Sequence, residues 1–156
     1  MIAQWVIQRA YDILDSAQPV PFDCGRLCDK KCCKGSEQDG MLLFPGEEKR
    51  FEEKEGFEIR EVSQGKMLLC SGACDRTLRP IACRIFPFFP YVTQENGNYK
   101  ISVLKDIRAL HYCPLQDVSK DFERTVRIAA RNLLRDESCA DFLLRLTEDL
   151  TDLGNL

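Results

Sequence analysis

Apolar residues recur at helical spacing at the start of the chain. Within residues 2–17 they fall on one face of a helix, with charged residues on the opposite face. This pattern predicts a helix that packs on a core, and Pro19 and Pro21 are expected to end it. The predicted apolar face consists of Ile2, Val6, Ala10, Ile13, Leu14 and Ala17.

The last third of the chain shows helical spacing twice more. Ser119 is suited to cap the first of these helices, and Ser138 with Asp141 three residues later resembles the capping box of the second. We therefore expect a pair of helices at the C-terminal end. Their apolar stripes consist of Val118, Phe122, Val126, Ala130, Leu133 and Leu134 in the first, and of Phe142, Leu143, Leu146 and Leu150 in the second.

Strand-like alternation replaces helical spacing in the middle of the chain. Residues 57–62 alternate as a half-buried strand does, and residues 66–69 are placed to pair with them across Ser63-Gln64-Gly65. Residues 99–104 are another candidate strand, which follows a turn signal at Asn96-Gly97-Asn98. These segments predict a short antiparallel sheet.

One charged stretch separates two of these segments. Residues 41–44 are short and apolar, and we interpret them as a strand. Pro45-Gly46 then opens the charged stretch from Glu47 to Glu55, which predicts a short solvated helix closed by Gly56.

The order of these elements predicts an α+β fold in a single domain, residues 1–156. We expect an N-terminal helix, a loop-rich middle with clustered cysteines and a short antiparallel sheet, and a C-terminal helix pair. The net charge of −3 argues against a nucleic-acid partner, and the apolar runs are too short to span a membrane. Residues 1–17 lack the continuous apolar stretch of a signal peptide, so a cytoplasmic location is expected.

Nine cysteines are the feature that points most directly to chemistry. Eight of them are clustered at short spacings, which allows several thiolates to converge on one soft metal ion. A disulfide framework would leave one thiol over, and a reducing cytoplasm disfavours such a framework. We therefore predict metal ligation. The clustered cysteines are Cys24, Cys28, Cys32 and Cys33, then Cys70, Cys74 and Cys83, and finally Cys113.

Four more residues bear on the predicted site. Arg79 and Arg84 flank Cys83, where they can offset the charge of a thiolate site or donate hydrogen bonds to sulfur as second-shell groups. Pro80, Pro87 and Pro90 are expected to stiffen this loop, which lowers the entropy cost of gathering the ligands. The alternative is that both arginines are solvated and the prolines merely shape a turn. His111 is the only histidine and lies two residues before Cys113, so it is either a further ligand or a packing or surface residue. Cys139 falls at an inward position of the last helix and is interpreted as a buried small apolar residue.

The cysteine spacing and the string after Cys74 resemble a known family. Cys24-x3-Cys28-x3-Cys32-Cys33, followed by Leu78-Arg79-Pro80-x2-Cys83-Arg84-x-Phe86-Pro87, is similar to the YkgJ-type cysteine-cluster proteins over residues 24–113. That family is described as a zinc- or iron-chelating domain. The resemblance implies chelation through the seven cysteines from Cys24 to Cys83, with Cys113 as a further ligand.

The identity of the metal and its use stay open in the sequence. Cys-x3-Cys spacing tilts the expectation slightly toward iron, alone or as an iron–sulfur cluster, whereas zinc sites more often use Cys-x2-Cys but tolerate both spacings. The leading prediction is a metal-binding protein. The alternatives are an iron–sulfur-dependent redox or group-transfer enzyme or subunit, related to methylases, and a thiol redox sensor. No catalytic residue is assigned, and a protein partner is left unidentified.

Overall fold

The computed structural model describes residues 4–15, 41–52, 57–70, 79–86, 88–107 and 120–154. Helices lie at both ends of the chain and short antiparallel sheets lie between them, which confirms the predicted α+β class. The helices are α1 (Gln4–Leu14), α2 (Ile81–Ile85), α3 (Lys120–Leu133) and α4 (Glu137–Gly154), and a 3-10 helix covers Glu47–Arg50. The strands are β1 (Met41–Leu42), β2 (Phe57–Val62), β3 (Gly65–Cys70), β4 (Phe88–Glu95) and β5 (Asn98–Lys105).

The first sheet has the strand order β1-β3-β2, and both pairings are antiparallel. Val62 pairs with Gly65 at the turn and Phe57 pairs with Cys70 at the open end, which confirms the hairpin predicted from alternation. Met41 pairs with Leu68 on the other side of β3, so the predicted apolar strand also forms, although it is only two residues long.

The second sheet is a hairpin of β4 and β5. Its turn places Asn96 and Gly97 at positive φ angles of 53° and 80°. Two successive positive φ values are typical of the turn whose twist matches that of paired strands, and glycine adopts them at little cost. The turn and the strand predicted at residues 99–104 are therefore confirmed.

β4 is an element that the sequence patterns did not predict, because Pro87 and Pro90 indicated a stiffened loop. Pro90 in fact pairs with Val103. The N–H of Val92, two residues further on, donates to Thr147 Oγ1 of α4 at 2.9 Å, so it points away from β5. Successive N–H groups alternate in direction along a strand, and the N–H that proline lacks would therefore also have pointed away from β5.

The main core joins all four α-helices to β1, β4 and β5. α1 packs on α3, where Asn132 Nδ2 donates to the Val6 carbonyl at 2.8 Å. The rings of Phe44 and Phe142 lie 4.8 Å apart and connect the first sheet's edge to α4. The predicted stripes are buried or partly buried wherever they are described; Ile2, Ala17 and Val118 lie outside the described residues.

Helix α4 begins two residues earlier than the predicted capping box. Asp136 Oδ2 accepts a hydrogen bond from the Cys139 N–H at 3.1 Å, which is the contact of an N-cap residue. Ser138 therefore lies inside the first turn of the helix, and its assignment as the cap was wrong. Ser119, the cap proposed for α3, lies outside the described residues.

The charged stretch after Pro45-Gly46 differs from the solvated helix that was predicted. The 3-10 helix ends at Arg50, Glu47 is fully buried, and Phe51 is 2% exposed. Phe51 packs in a small second core with Leu43 and Leu68, which draws this segment onto the sheet. Gly56, the predicted helix stop, lies outside the described residues.

In the described part of the chain, no helix combines the length and the apolar character needed to cross a membrane.

Candidate metal centre

Of the eight predicted cysteine ligands, Cys83 is the one whose side chain the structure describes. Cys70 ends β3, opposite Phe57, and its side chain lies outside the described residues. Among the described side chains, no three His, Cys, Asp or Glu residues are grouped so as to hold a metal ion. The other predicted metal-site residues, namely Cys24, Cys28, Cys32, Cys33, Cys74, His111 and Cys113, lie outside the described residues.

Cys83 is presented by the short helix α2. Pro80 precedes the helix in an extended conformation, and its carbonyl accepts hydrogen bonds from the Cys83 and Arg84 N–H groups, each at 3.1 Å. Ile81 and Ile85, four residues apart, are both buried and attach one face of α2 to the main core. Cys83 comes two residues after Ile81 and therefore projects from the opposite side, where it is partly exposed. The side chain of Cys83 therefore lies on the side of α2 that faces away from the main core.

The two arginines that flank Cys83 are both largely buried, at 8% exposure for Arg79 and 9% for Arg84. The Arg84 Nε–H donates to the Arg79 carbonyl at 2.9 Å, and Arg84 Nη1 lies 3.6 Å from Asp15 Oδ1 of the segment that follows α1. The alternative that both arginines are solvated is therefore wrong. Their predicted role beside a bound metal remains a prediction.

A buried carboxylate connects α2 to the rest of the structure. Glu47 Oε1 accepts from the Phe44 N–H at 2.9 Å, and Glu47 Oε2 accepts from the Ile81 N–H at 2.7 Å and from the Tyr11 hydroxyl. Burial raises the pKa of the Glu47 carboxyl, and the hydrogen bonds from Tyr11, Ile81 and Phe44 oppose that shift. Three segments that are distant in sequence thus meet at one side chain.

Tyr11 is the partner that brings α1 to this carboxylate. Two guanidinium groups face its ring, with Arg50 Cζ at 3.8 Å and Arg84 Cζ at 4.8 Å from the ring centroid. Burial and the neighbouring Glu47 carboxylate raise the pKa of the Tyr11 hydroxyl, so it stays protonated at neutral pH and acts as a donor. The cluster of Tyr11, Glu47 and Arg84 is hereafter called the anchor cluster.

Sequence reasoning missed two members of the anchor cluster for different reasons. Tyr11 lies four residues after Ile7 and three before Leu14, so helical spacing was a signal that could have placed it on the buried face. Glu47 carries no such local signal, because an acidic residue in a charged stretch is usually exposed. Its burial follows from contacts with residues that are distant in sequence.

Cys139 behaves as the sequence predicted. Its side chain is fully buried in the main core, and its Sγ–H donates weakly to the Pro45 carbonyl at 3.8 Å. Burial, reinforced by the nearby Asp136 carboxylate, raises the pKa of the thiol to about 12.

We expect Cys139 to resist alkylation in the folded protein. At pH 8 its thiolate fraction is at least about a hundredfold lower than that of an ordinary thiol, because each unit of pKa changes the fraction tenfold. The measurement is iodoacetamide labelling followed by peptide mass spectrometry, with urea-unfolded protein as the control. Labelling of Cys139 at equal rates in the two states would contradict its burial.

A cleft of about 370 Å³ lies between α4 and the turn that joins β2 to β3. Among the residues that the structure describes, no cysteine lines this cleft, and neither Arg79 nor Arg84 contributes to it. The lining consists of Leu42, Ser63, Gln64, Phe142, Arg145, Leu146, Glu148 and Asp149.

Comparisons of this chain with protein-family models, with curated proteins and with solved structures find no match. The prediction of metal binding therefore depends on the residues of this chain and on the resemblance of its cysteine spacing to that of the YkgJ-type proteins.

Proposed function

We propose that this protein is a metal-binding protein that chelates iron, alone or as an iron–sulfur cluster, or zinc. The observation that carries the proposal is the clustering of eight cysteines at short spacings together with the arginine–proline string around Cys83. The proposed ligands are Cys24, Cys28, Cys32, Cys33, Cys70, Cys74, Cys83 and Cys113.

The surroundings of Cys83 support this proposal. Cys83 is partly exposed on the outward side of a helix whose other side is packed in the core, which suits a residue that shares a metal with thiolates from other segments. Arg79 and Arg84 supply two positive charges close in sequence to Cys83, and both are largely buried. Four thiolates around a divalent ion carry a formal charge of about −2, and buried guanidinium groups nearby would lower the cost of holding it.

We further propose that the protein works in a reducing compartment such as the cytoplasm. Metal ligation requires thiolates, and an oxidising compartment favours the conversion of clustered thiols into disulfides. A reducing compartment would instead keep the clustered thiols available for the metal.

The test is elemental analysis with an optical spectrum on protein that was purified anaerobically and never exposed to a chelator. We expect at least one equivalent of iron or zinc per chain. A brown sample that contains sulfide would identify an iron–sulfur protein, and a colourless sample with zinc would identify a zinc protein. A metal-free sample in which all eight clustered thiols titrate freely would contradict the proposal.

A further inference from the structure

The helix that carries Cys83 is too short to fix its own position. α2 has five residues, little more than one hydrogen-bonded turn, and an isolated turn is unstable in water. The place of the Cys83 thiol must therefore be set by contacts between α2 and the rest of the protein.

The first of these contacts is the hydrogen bond from the Ile81 N–H to Glu47 Oε2, at 2.7 Å. Ile81 is the first residue of α2, and its N–H has no acceptor within the helix. Glu47 is fully buried, so this contact is shielded from water and is stronger than a similar contact on the surface.

The second contact runs from Arg84 to α1. The Arg84 guanidinium faces the Tyr11 ring, and the Tyr11 hydroxyl donates to the same Glu47 carboxylate that holds Ile81. Arg84 follows Cys83 directly, whereas Ile81 precedes it by two residues. Tyr11 and Glu47 thus hold α2 on both sides of the cysteine.

We infer that Tyr11 and Glu47 are positioning residues for Cys83, which fix α2 so that its thiol is held where the other cysteines can share a metal with it. This inference rests on the proposed function. The buried Glu47 carboxylate then contributes to metal binding, although neither Glu47 nor Tyr11 is itself a ligand. Groups that orient ligands in this way change metal affinity by about 10- to 100-fold when they are replaced.

A bound metal can leave the protein by two routes, through unfolding of the whole domain or through a local movement of α2. If the metal leaves only when the whole domain unfolds, any substitution that lowers the free energy of unfolding equally will speed its loss equally. If the anchor cluster holds α2, its loss lets α2 move alone. Substitutions in the cluster will then speed metal loss more than a core substitution of equal cost to stability.

The experiment measures the rate at which EDTA removes metal from the protein as purified. Glu47→Gln keeps the size of the side chain, but it replaces one of the two carboxylate oxygens with an NH2 group that cannot accept. Because the Phe44 and Ile81 N–H groups bond to different oxygens, one of them loses its acceptor. Tyr11→Phe deletes only the hydroxyl donor and keeps the ring under Arg84. The control is Val126→Ala on α3, a residue that is 1% exposed in the core. The free energy of unfolding of each variant is measured beside its metal-release rate.

We expect metal release from the Glu47→Gln protein to be at least about tenfold faster than from the wild type. Metal release from the Tyr11→Phe protein should also be faster than from the wild type. This variant tests the inference if the Glu47→Gln protein does not fold. Val126→Ala should leave the rate near that of the wild type at a comparable loss of stability. Equal rates for cluster variants and the control would overturn the inference while leaving the proposed function intact. A wild-type protein without metal would overturn both.

Discussion

Replacing Cys83 with serine is expected to lower the affinity of the protein for its metal by at least about a hundredfold. The estimate is a lower bound, because groups that only orient ligands already account for 10- to 100-fold. Serine keeps the size of the side chain but replaces a thiolate with a hydroxyl group that soft metals bind poorly. The measurement is the metal content of the purified variant, followed by competition with a chelator of known affinity.

Cys139→Ala is the matched control for this experiment. It also removes one thiol, but Cys139 is fully buried in the main core, and burial raises the pKa of its thiol to about 12. The variant should retain the wild-type metal content and lose only core stability, about 1 kcal/mol for the small cavity. Equal metal loss in the two variants would show that the effect comes from instability and not from ligation.

Glu47→Ala is expected to lower the free energy of unfolding by about 3 kcal/mol or more. The substitution leaves buried donors without an acceptor, namely the Tyr11 hydroxyl and the N–H groups of Phe44 and Ile81. Each buried group that loses its partner costs about 1 to 3 kcal/mol. Urea denaturation measures the change in the free energy of unfolding.

The control for that experiment is Glu58→Ala, which removes the same charge from the surface. Glu58 lies on β2, its side chain is 62% exposed, and its contact with Arg60 at 3.1 Å is a surface ion pair. Such pairs contribute about 0 to 1 kcal/mol, so this variant should stay close to the wild type. A similarly small effect for Glu47→Ala would show that the Glu47 contacts do not hold the fold together.

Local patterns were sufficient to predict those elements whose burial is periodic. The stripes of α1, α3 and α4 each indicate a buried face from within one segment, and the alternation of β2 indicates a partly buried one. β4 was missed because proline is typical of loops, and whether a strand accepts Pro90 depends on which neighbour the missing N–H would have faced. That information lies in α4 and β5, and not in β4 itself.

The candidate site likewise has features that local sequence patterns predict and a feature that they do not. The cysteine spacing and the flanking arginines are local features, so the sequence alone predicts a metal site around Cys83. The role of Glu47 is not local, because its acceptor atoms are matched by donors from α1, from the segment after β1 and from α2. Only the folded arrangement shows that Glu47, an acidic residue from a charged stretch, lies at the N-terminal end of α2, the helix that carries Cys83.

The measurement that tests the metal-binding proposal most directly is X-ray absorption spectroscopy at the metal edge, on protein purified anaerobically. We predict that sulfur atoms dominate the first coordination shell, at about 2.3 Å if the metal is zinc. The Cys83→Ser protein should show fewer sulfur neighbours per metal, and the Cys139→Ala protein should match the wild type. A first shell of oxygen and nitrogen atoms alone would contradict chelation by the clustered cysteines.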